Sequence, residues 1–314
     1  MANQQHVVIV GGGVMGGDIA TIFAAGGWNV HVMSPSAKTR AALPARLAAG
    51  LNKLGANAAN TALVKTYANL DEIAWRNVDL VVEAATEDLA LKHQLFAQLE
   101  TLARPEIPLA SNTSTFPIGE IGKHLKTRSR VVGLHYFMPA HLVPLVEVIK
   151  ADFTDKTVAD WLEQNQRQLG KVPVRVNKDI PGFIGNRLQH AMMREALYLI
   201  AEGVVSPEGI DTAVRFGFGF RFIACGPMMQ KEMSGWDTIL YGGTSIYPSL
   251  HNDQAPPQFL RDMVAKGRIG MKAGRGLWEW TDDSVAKEKA RIEKALQAAF
   301  EILKADAAGG QKKA

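Results

Sequence analysis

HVVIVGGGVMGGDIATIFAAGG, residues 6–27, joins an apolar run, a cluster of glycines and a helical pattern. VVIVG (7–11) is a β-branched run of the kind that forms a strand buried on both faces. The segment after the glycine cluster has helical spacing and ends at Gly26 and Gly27, which are typical of a helix C-terminus. A strand, a glycine-rich turn and a helix in this order predict the first unit of a doubly wound α/β sheet.

The rest of the first half continues the alternation of strands and helices. Pro35 and Ser36 open an alanine-rich helix, and a long amphipathic helix covers about 88–102. Further apolar runs predict strands at 30–34, 79–85, 108–114, 131–137, 145–149 and 172–176. Alternation of this kind implies a mainly parallel, doubly wound sheet, which is the Rossmann arrangement.

The pattern changes near Lys178–Pro181. Beyond this point almost only helical periodicity remains, over 182–203, 206–214, 228–247, 256–266 and 284–304. We therefore predict an α/β fold class in which a Rossmann sheet is followed by an all-helical C-terminal domain. The predicted domains are 1–179 and 180–305, and a disordered tail is predicted over 306–314.

The composition is that of an ordinary globular protein with two domains. The chain has 314 residues, of which 47% are apolar and 21% charged, and its net charge of +4 gives little reason to expect nucleic acid as a partner. The single cysteine excludes an internal disulfide and fits a reducing compartment. No window is apolar enough for a membrane span, and we expect no signal peptide before the first strand. We expect a cytoplasmic protein with neither a membrane partner nor a metal site.

The spacing Gly11-x-Gly13-x-x-Gly16 directly follows the first strand and opens the first helix. The first glycine permits a tight turn, the second lets the backbone approach a pyrophosphate, and the third lets helix and strand pack closely. Glycines also cluster in purely structural turns, but the flanking strand and helix favour a dinucleotide. We expect the backbone of Gly11, Gly13, Val14, Met15 and Gly16 to hold the pyrophosphate.

The end of the second predicted strand departs from the dinucleotide fingerprint. An Asp or Glu usually binds the adenosine ribose at this place, whereas this chain has Ser34. An acid would repel a ribose 2′-phosphate, and a serine with Lys38 and Arg40 nearby would accept one. The same two basic residues are equally explained as solvated charges on a helix. The cofactor is therefore NAD or NADP, and strict selectivity for NAD is not expected.

The strand pattern indicates two titratable residues as candidates for the active site. His135 lies at the end of a predicted strand, where doubly wound folds place their chemistry. Glu147 stands in the apolar run PLVEVI, and a buried carboxylate is costly unless it has a partner. An imidazole would satisfy Glu147 and would itself be oriented as a base. From spacing alone, a catalytic pair and two unrelated structural residues are equally good explanations.

Taken together, six stretches of the chain resemble the 3-hydroxyacyl-CoA dehydrogenase family over nearly its whole length. The resemblance is carried by GGGVMGGDIA, VVEAATEDLALKHQLFAQLE, SNTSTFPIGEI, GLHYFMPAHLVPLVEVI, DIPGFIGNRLQHAMMREALYLIAEGVVSPEGIDTAV and KGRIGMKAGRGLWEW. It implies a Rossmann domain, a helical C-terminal domain that dimerises and helps to bind substrate, and a catalytic His–Glu pair. Carried onto the matching positions, His135 is the general base and Glu147 its orienting partner, while Ser114 and Asn186 surround the reacting oxygen.

The resemblance also implies residues near the nicotinamide half of the cofactor. Glu87 and Lys92, in ATEDLALK, match these positions, although Lys92 by itself would pass for a solvated helix lysine. The family further implies a homodimer and a place in fatty acid metabolism.

Besides Ser34, the sequence differs from the family pattern in two places. Met138 replaces the Asn that commonly precedes the proline after the catalytic histidine. The stretch from Pro35 to about Thr66 is shorter than the Lys-bearing excursion that grips coenzyme A in acyl-CoA-specific members. The helical half is more similar to the branch with L-gulonate 3-dehydrogenase (lambda-crystallin-like) and carnitine dehydrogenase, which act on free hydroxy acids. Arg221 is a candidate ligand for a substrate carboxylate or, equally, a structural cation at a helix end.

The sequence thus predicts an oxidoreductase that moves a hydride between NAD(P) and the C3 hydroxyl or keto group of a 3-hydroxyacyl-CoA-like or free 3-hydroxy-acid substrate. One alternative is a Lys-dependent β-hydroxyacid dehydrogenase, but GFIGNRLQ carries Asn186 and no such lysine. The other is a non-catalytic, crystallin-like nucleotide-binding protein. The joint presence of Ser114, His135, Glu147 and Asn186 argues against that alternative.

Overall fold

The computed structural model describes residues 4–308 and contains one eight-stranded sheet within that range. The sheet order is β3-β2-β1-β4-β5-β6-β7-β8, and all neighbours are parallel except β6 and β7. This order confirms the predicted doubly wound fold. The strands are β1 His6–Val10, β2 Asn29–Met33, β3 Val64–Tyr67, β4 Leu80–Glu83, β5 Leu109–Ser111, β6 Val131–Tyr136, β7 Leu145–Ile149 and β8 Val172–Val176.

Strand β3 was not predicted from the sequence. It is a four-residue edge strand whose side chains are exposed or half-buried, so it lacks the apolar run that marks the central strands. The predicted strands at 79–85 and 108–114 were too long, because β4 and β5 end at Glu83 and Ser111. The residues that follow these two strands form the loops of the site.

Helices cover both faces of the sheet. One face of β1 packs Val7 and Ile9 against Ile19 and Phe23 of the first helix, and the other packs against the third helix. The helices are α1 Val14–Ala25, α2 Ala37–Lys53, α3 Leu89–Leu102, α4 Ile118–Gly122 and α5 Lys156–Gln168. Serine and aspartate N-caps begin three of them, since Ser36, Asp88 and Asp155 accept from backbone N–H groups of α2, α3 and α5.

The second half is helical. Its helices are α6 Gly185–Ala201, α7 Pro207–Ala213, α8 Pro227–Ser234, α9 Trp236–Ile246, α10 Gln258–Ala265 and α11 Asp282–Ala308. The single helix predicted over 228–247 is wrong, because Gly235 has φ +88° and ends α8 before α9 begins. Within residues 4–308, no helix has the length and apolar character that a membrane crossing requires.

The chain divides into two compact units, the first ending at Arg187 and the second beginning at Leu188. This division lies within α6, whereas the sequence placed a domain boundary after residue 179. The tail predicted to be disordered, 306–314, falls mainly outside the described residues, and its first three residues continue α11.

Candidate active site

Two of the three glycines in the turn after β1, Gly11 and Gly16, occupy positions that leave no space for a side chain. Gly11 has φ +110°, and a Cβ there would lie 2.6 Å from the carbonyl oxygen of Ala84. A Cβ on Gly16 would lie 1.7 Å from the carbonyl oxygen of Gly11, so the start of α1 and the end of β1 approach as closely as backbones can. Around Gly13, by contrast, there is nothing within 4 Å of a Cβ position. The open face of the turn is therefore at Gly13.

This open face fits the pyrophosphate of a dinucleotide. Helix α1 begins at Val14, and its N-cap Gly13 has no side chain to occupy the helix N-terminus. Within the described part of the chain, no hydrogen bond uses the N–H groups of Gly13, Val14 or Met15. Unpaired N–H groups at a helix start attract an anion, both directly and through the helix dipole. These residues would hold the cofactor phosphates.

Ser34 lies directly after β2 and beside the glycine turn. It is buried, and a Cβ on Gly12 would lie 3.2 Å from the Cβ of Ser34. The guanidinium of Arg40 donates to the carbonyl oxygen of Ser34, so this cation is held next to the serine. Ser36 is used locally, because its hydroxyl accepts from the N–H of Thr39 and caps α2.

His135 and Glu147 face each other across two antiparallel strands. They are direct register partners of β6 and β7, so both side chains project from the same face of the sheet. His135 Nδ1 lies 2.7 Å from Glu147 Oε2, and both residues are buried. A carboxylate can only accept, so Nδ1 carries the proton and Nε2 of the neutral ring is left as a base.

The second oxygen of Glu147 is held by backbone. Its Oε1 accepts from the N–H of Ile184 at 2.9 Å and of Gly185 at 2.8 Å, at the start of α6. Burial raises the pKa of Glu147, but the bonds from His135, Gly185 and Ile184 outweigh that effect and hold the pKa below its usual value. Glu147 is thus a buried carboxylate that stays ionised, and it fixes both the orientation and the tautomer of His135.

Aromatic rings enclose the imidazole. The ring of His135 lies 4.7 Å from that of Phe137 and 5.6 Å from that of Phe183, measured between centroids. Phe183 is fully buried and has φ +51°, a backbone conformation that is uncommon for an aromatic residue. A Cβ on Gly185 would lie 2.4 Å from the ring of Phe137, so only glycine fits where α6 begins. The turn before α6 thus shapes the surroundings of the base.

Ser114 and Asn186 lie in one hydrogen-bonded group with Glu87. The N–H and hydroxyl of Ser114 donate to Glu87 Oε1 at 2.6 and 3.1 Å, and Asn186 Nδ2 donates to the carbonyl oxygen of Ser114 at 3.3 Å. Burial raises the pKa of Glu87, while the Ser114 N–H and the Lys92 ammonium lower it by more, so the net pKa is depressed. Glu87 is therefore an anion that orients the serine loop.

Lys92 is buried rather than solvated. Its ammonium donates to Glu83 Oε1 at 2.8 Å and to Glu83 Oε2 at 2.9 Å, and it forms an ion pair with Glu87 Oε2 at 3.4 Å. Ser111 adds a 2.6 Å hydrogen bond to Glu83. Glu83 was not among the predicted site residues, although an acid that ends the apolar run DLVVE is the same signal that singled out Glu147.

A second missed residue is Lys171, which holds the loop between β6 and β7. Its ammonium donates to the carbonyl oxygens of Ala140 at 2.6 Å and Val143 at 3.0 Å, and burial lowers its pKa to about 8. Met138, on the same loop, is 71% exposed, so it presents an apolar surface three residues after the base. No local pattern around Lys171 could have revealed contacts with residues about thirty positions away.

Arg221 lies in the second unit, where its guanidinium is within hydrogen-bond reach of the side-chain oxygen of Gln230, once that amide is oriented to accept. Among residues 4–308, no group of three or more His, Cys, Asp or Glu side chains could hold a metal ion.

A glycine turn open to a pyrophosphate and a buried His–Glu pair, both on a doubly wound sheet, define a nucleotide-dependent dehydrogenase. Residues 6–180 match the family described as 3-hydroxyacyl-CoA dehydrogenase, NAD binding domain, and residues 182–280 match its C-terminal domain. The chain belongs to the 3-hydroxyacyl-CoA dehydrogenase family, as the sequence motifs had indicated. It is an oxidoreductase that acts on CH–OH donors with NAD.

Relatives match the chain over almost its full length. 5-Formyl-3-hydroxy-2-methylpyridine 4-carboxylate 5-dehydrogenase of Mesorhizobium japonicum is 32% identical over 305 residues, which are 95% of this chain and 98% of that protein. L-carnitine dehydrogenase of Nocardiopsis dassonvillei is 31% identical over 318 residues, 97% and 94% of the two chains. A crystal structure of the former type of enzyme, described as an NAD+-dependent dismutase, has a TM-score of 0.88 at 27% identity and covers 96% and 98% of the two chains.

Proposed function

We propose that this enzyme oxidises or forms the hydroxyl group of a small free hydroxy acid rather than of a coenzyme A thioester. Between the end of α2 at Lys53 and the start of β3 at Val64, the chain forms only a six-residue 3-10 helix, Ala58–Leu63, so no long helical excursion lies there. Two relatives that span the chain carry substrates with a free carboxylate in their names. Both observations favour a compact substrate.

The observation that carries the proposed chemistry is the buried His135–Glu147 pair. In the oxidative direction, Nε2 of neutral His135 takes the hydroxyl proton of the substrate, and Glu147 stabilises the imidazolium that forms. In the reductive direction the imidazolium returns that proton to the new hydroxyl. The chemistry that NAD supplies is the acceptance or return of a hydride at its nicotinamide ring.

Ser114 and Asn186 are proposed to bind the reacting oxygen. Asn186 Nδ2 has a second hydrogen to donate, since only its 3.3 Å bond to the Ser114 carbonyl uses the amide. The Ser114 hydroxyl lies 3.1 Å from Glu87 Oε1 and 3.4 Å from Thr115 Oγ1. Rotated towards the substrate, it would donate to the reacting oxygen, whose own hydrogen goes to His135. Glu87 and Lys92 would act near the nicotinamide, with Lys92 acting through Glu87.

We also propose that the enzyme accepts NADP as well as NAD. Ser34 places no negative charge beside the ribose, and the Arg40 guanidinium that is held on the Ser34 carbonyl retains further N–H donors. A guanidinium in this position would pair with a 2′-phosphate.

The proposed assembly is a homodimer formed through the second unit. Large apolar side chains are exposed on α8 and α9, and a patch of this kind marks a protein interface. They are Met228, Met229, Met233, Trp236, Leu240 and Tyr241. The proposed compartment is the cytoplasm, with which a lone cysteine is consistent.

A substrate screen tests the proposal. Free 3-hydroxy acids, L-carnitine and hydroxymethyl- or formylpyridine carboxylates would be compared with 3-hydroxyacyl-CoA thioesters, each with NAD and with NADP. We expect turnover of a free acid at a higher kcat/KM than any thioester, and a loss of roughly two to four orders of magnitude in that turnover in His135→Gln. A clear preference for thioesters would overturn the proposed substrate class and leave the family assignment in place.

A further inference from the structure

Arg46 on α2 reaches back to the glycine turn and binds three consecutive carbonyl groups. Its Nη1 lies 3.4 Å from the carbonyl oxygen of Gly12 and 3.2 Å from that of Gly13. Its Nη2 lies 3.2 Å from the oxygen of Gly13 and 3.0 Å from that of Val14. A single guanidinium thus donates to the carbonyl groups of one short segment. The dinucleotide fingerprint predicts that the same segment binds the cofactor phosphates.

Because the peptide bond is planar, the contact with Arg46 also shows which way the neighbouring N–H groups of the turn point. In a trans peptide, the C=O of one residue and the N–H of the next point in opposite directions. Because the carbonyls of Gly12, Gly13 and Val14 all face Arg46, the N–H groups of Gly13, Val14 and Met15 all face away from it. These are the three N–H groups that no described residue uses.

We propose that Arg46 is a positioning residue for the cofactor: it holds the glycine turn so that three backbone N–H groups converge on the pyrophosphate. The anion binds on the face of the turn opposite the guanidinium, so Arg46 acts through the backbone and does not contact the phosphates. The role rests on the nucleotide site alone and is independent of the proposed substrate.

Gly17 gives independent support for this role. The dinucleotide fingerprint requires glycine at 11, 13 and 16 but not at 17. A Cβ on Gly17 would lie 2.6 Å from Nη2 of Arg46, so glycine at this place lets the guanidinium lie against the first turn of α1. Glycine inside a helix is ordinarily unfavourable relative to alanine. The space that the Arg46 guanidinium needs is a physical reason why residue 17 is a glycine.

The shape of the guanidinium matters more than its charge. Asp18 Oδ1 lies 4.0 Å from Nη2 and offsets part of the positive charge. The planar fork of Arg can bind several carbonyls at once, whereas the ammonium of Lys is a compact point charge. A lysine at 46 would therefore restore the charge without restoring the alignment of the turn.

Fluorescence titration of NADH tests the proposal without a known substrate. We expect Arg46→Gln and Arg46→Lys to raise the Kd for NADH about tenfold, which corresponds to the loss of about 1.4 kcal/mol. Gly17→Ala should raise the Kd in the same direction, because its methyl group displaces the guanidinium, while Tm stays equal or rises. The matched control is Arg76→Gln, because Arg76 is exposed and precedes the amino-terminal end of β4, whereas the glycine turn follows the carboxyl end of β1.

On a confirmed substrate, kcat of the Arg46 variants at saturating cofactor should stay within about twofold of the parent value, with the loss in KM for NAD. An unchanged Kd in Arg46→Gln would overturn the positioning role alone. Full restoration by lysine would also overturn it, since a point charge would then suffice. No NADH binding by the parent protein would overturn the nucleotide site itself, and the role of Arg46 with it.

Discussion

At the scale of single residues, the chemistry depends on Glu147 staying ionised inside the protein. Two N–H groups at the start of α6 and the ring of His135 hold its pKa below the usual value despite burial. The carboxylate fixes the proton on Nδ1 of His135, so the basic lone pair stays on Nε2. The ionised carboxylate thereby keeps His135 in the orientation and tautomer that a base requires.

Removal of the base should lower turnover without loss of the cofactor. We expect His135→Gln to reduce kcat by roughly two to four orders of magnitude, with an NADH Kd close to that of the parent, because the glycine turn is a separate site. Glu147→Gln should have a smaller effect of the same kind. The double variant should be far from additive, since the two residues act as one unit. Near-normal turnover in His135→Gln would contradict the mechanism.

His31 predicts a loss of stability in mild acid. Burial, with smaller contributions from His6 and Lys65, lowers the pKa of His31 from its ordinary 6.5 to about 4. Between these values the unfolded chain takes up a proton that the folded chain does not, so the stabilisation present above pH 6.5 is lost as the pH falls towards 4. Denaturant midpoints at pH 7 and pH 5 should differ less in His31→Gln than in the parent.

The matched control for this measurement is His190→Gln, because His190 is an exposed histidine. Its pH dependence between pH 7 and pH 5 should equal that of the parent. If His31→Gln shows the parent's full pH dependence, another group is responsible for it.

At the scale of elements, the site is held by the turn that leads into α6. Phe183 packs on His135, the N–H groups of Ile184 and Gly185 bind Glu147, and Asn186 binds the loop of Ser114. One short segment thus contacts every part of the proposed catalytic group. Its geometry is set by the tight packing of Gly185 against the ring of Phe137.

Gly185→Ala should therefore impair catalysis more than folding. A Cβ would lie 2.4 Å from the ring of Phe137, so either that ring or the N–H that binds Glu147 must move. A displacement of this size in a catalytic group typically costs about tenfold to a hundredfold in rate, and we expect that loss in kcat. Gly226→Ala is the control, because nothing lies within 4 Å of a Cβ there. Full activity in Gly185→Ala would mean that the turn does not position the pair.

At the scale of the whole molecule, the two units differ in how their apolar residues are used. The sheet unit encloses its apolar residues in two large buried clusters. The helical unit leaves many large apolar side chains exposed, among them Phe216, Met233, Leu240 and Tyr241. A surface of this kind in the second unit is typical of a chain that associates with a second copy.

Light scattering at micromolar concentration should give twice the chain mass of 34.1 kDa. Leu240→Lys, which places a charge on a 67% exposed apolar position, should shift the population towards the monomer. Val174→Lys is the control, because Val174 is 39% exposed on β8 of the sheet unit. A parent protein that is monomeric and fully active would rule out the proposed dimer.

The sequence by itself determined the features that depend on neighbouring residues. A β-branched run followed by Gly11, Gly13 and Gly16 specifies a strand, a tight turn and a helix, since each requirement is met within about ten positions. Alternation of strand and helix patterns then determined the doubly wound sheet. Edge strand β3 escaped prediction because a short, half-exposed strand has no local signature.

Only the tertiary structure decided which side chains meet. His135 and Glu147 were equally compatible with two unrelated roles until the β6–β7 register set them opposite each other. The N–H groups that hold Glu147 lie 37 and 38 residues away, and the carbonyls that Arg46 binds lie 32 to 34 residues away. Partners at such separations are brought together by the packing of whole helices and strands. This packing is driven by the burial of apolar surface and not by the polar contacts that result, so no local sequence pattern encodes those contacts.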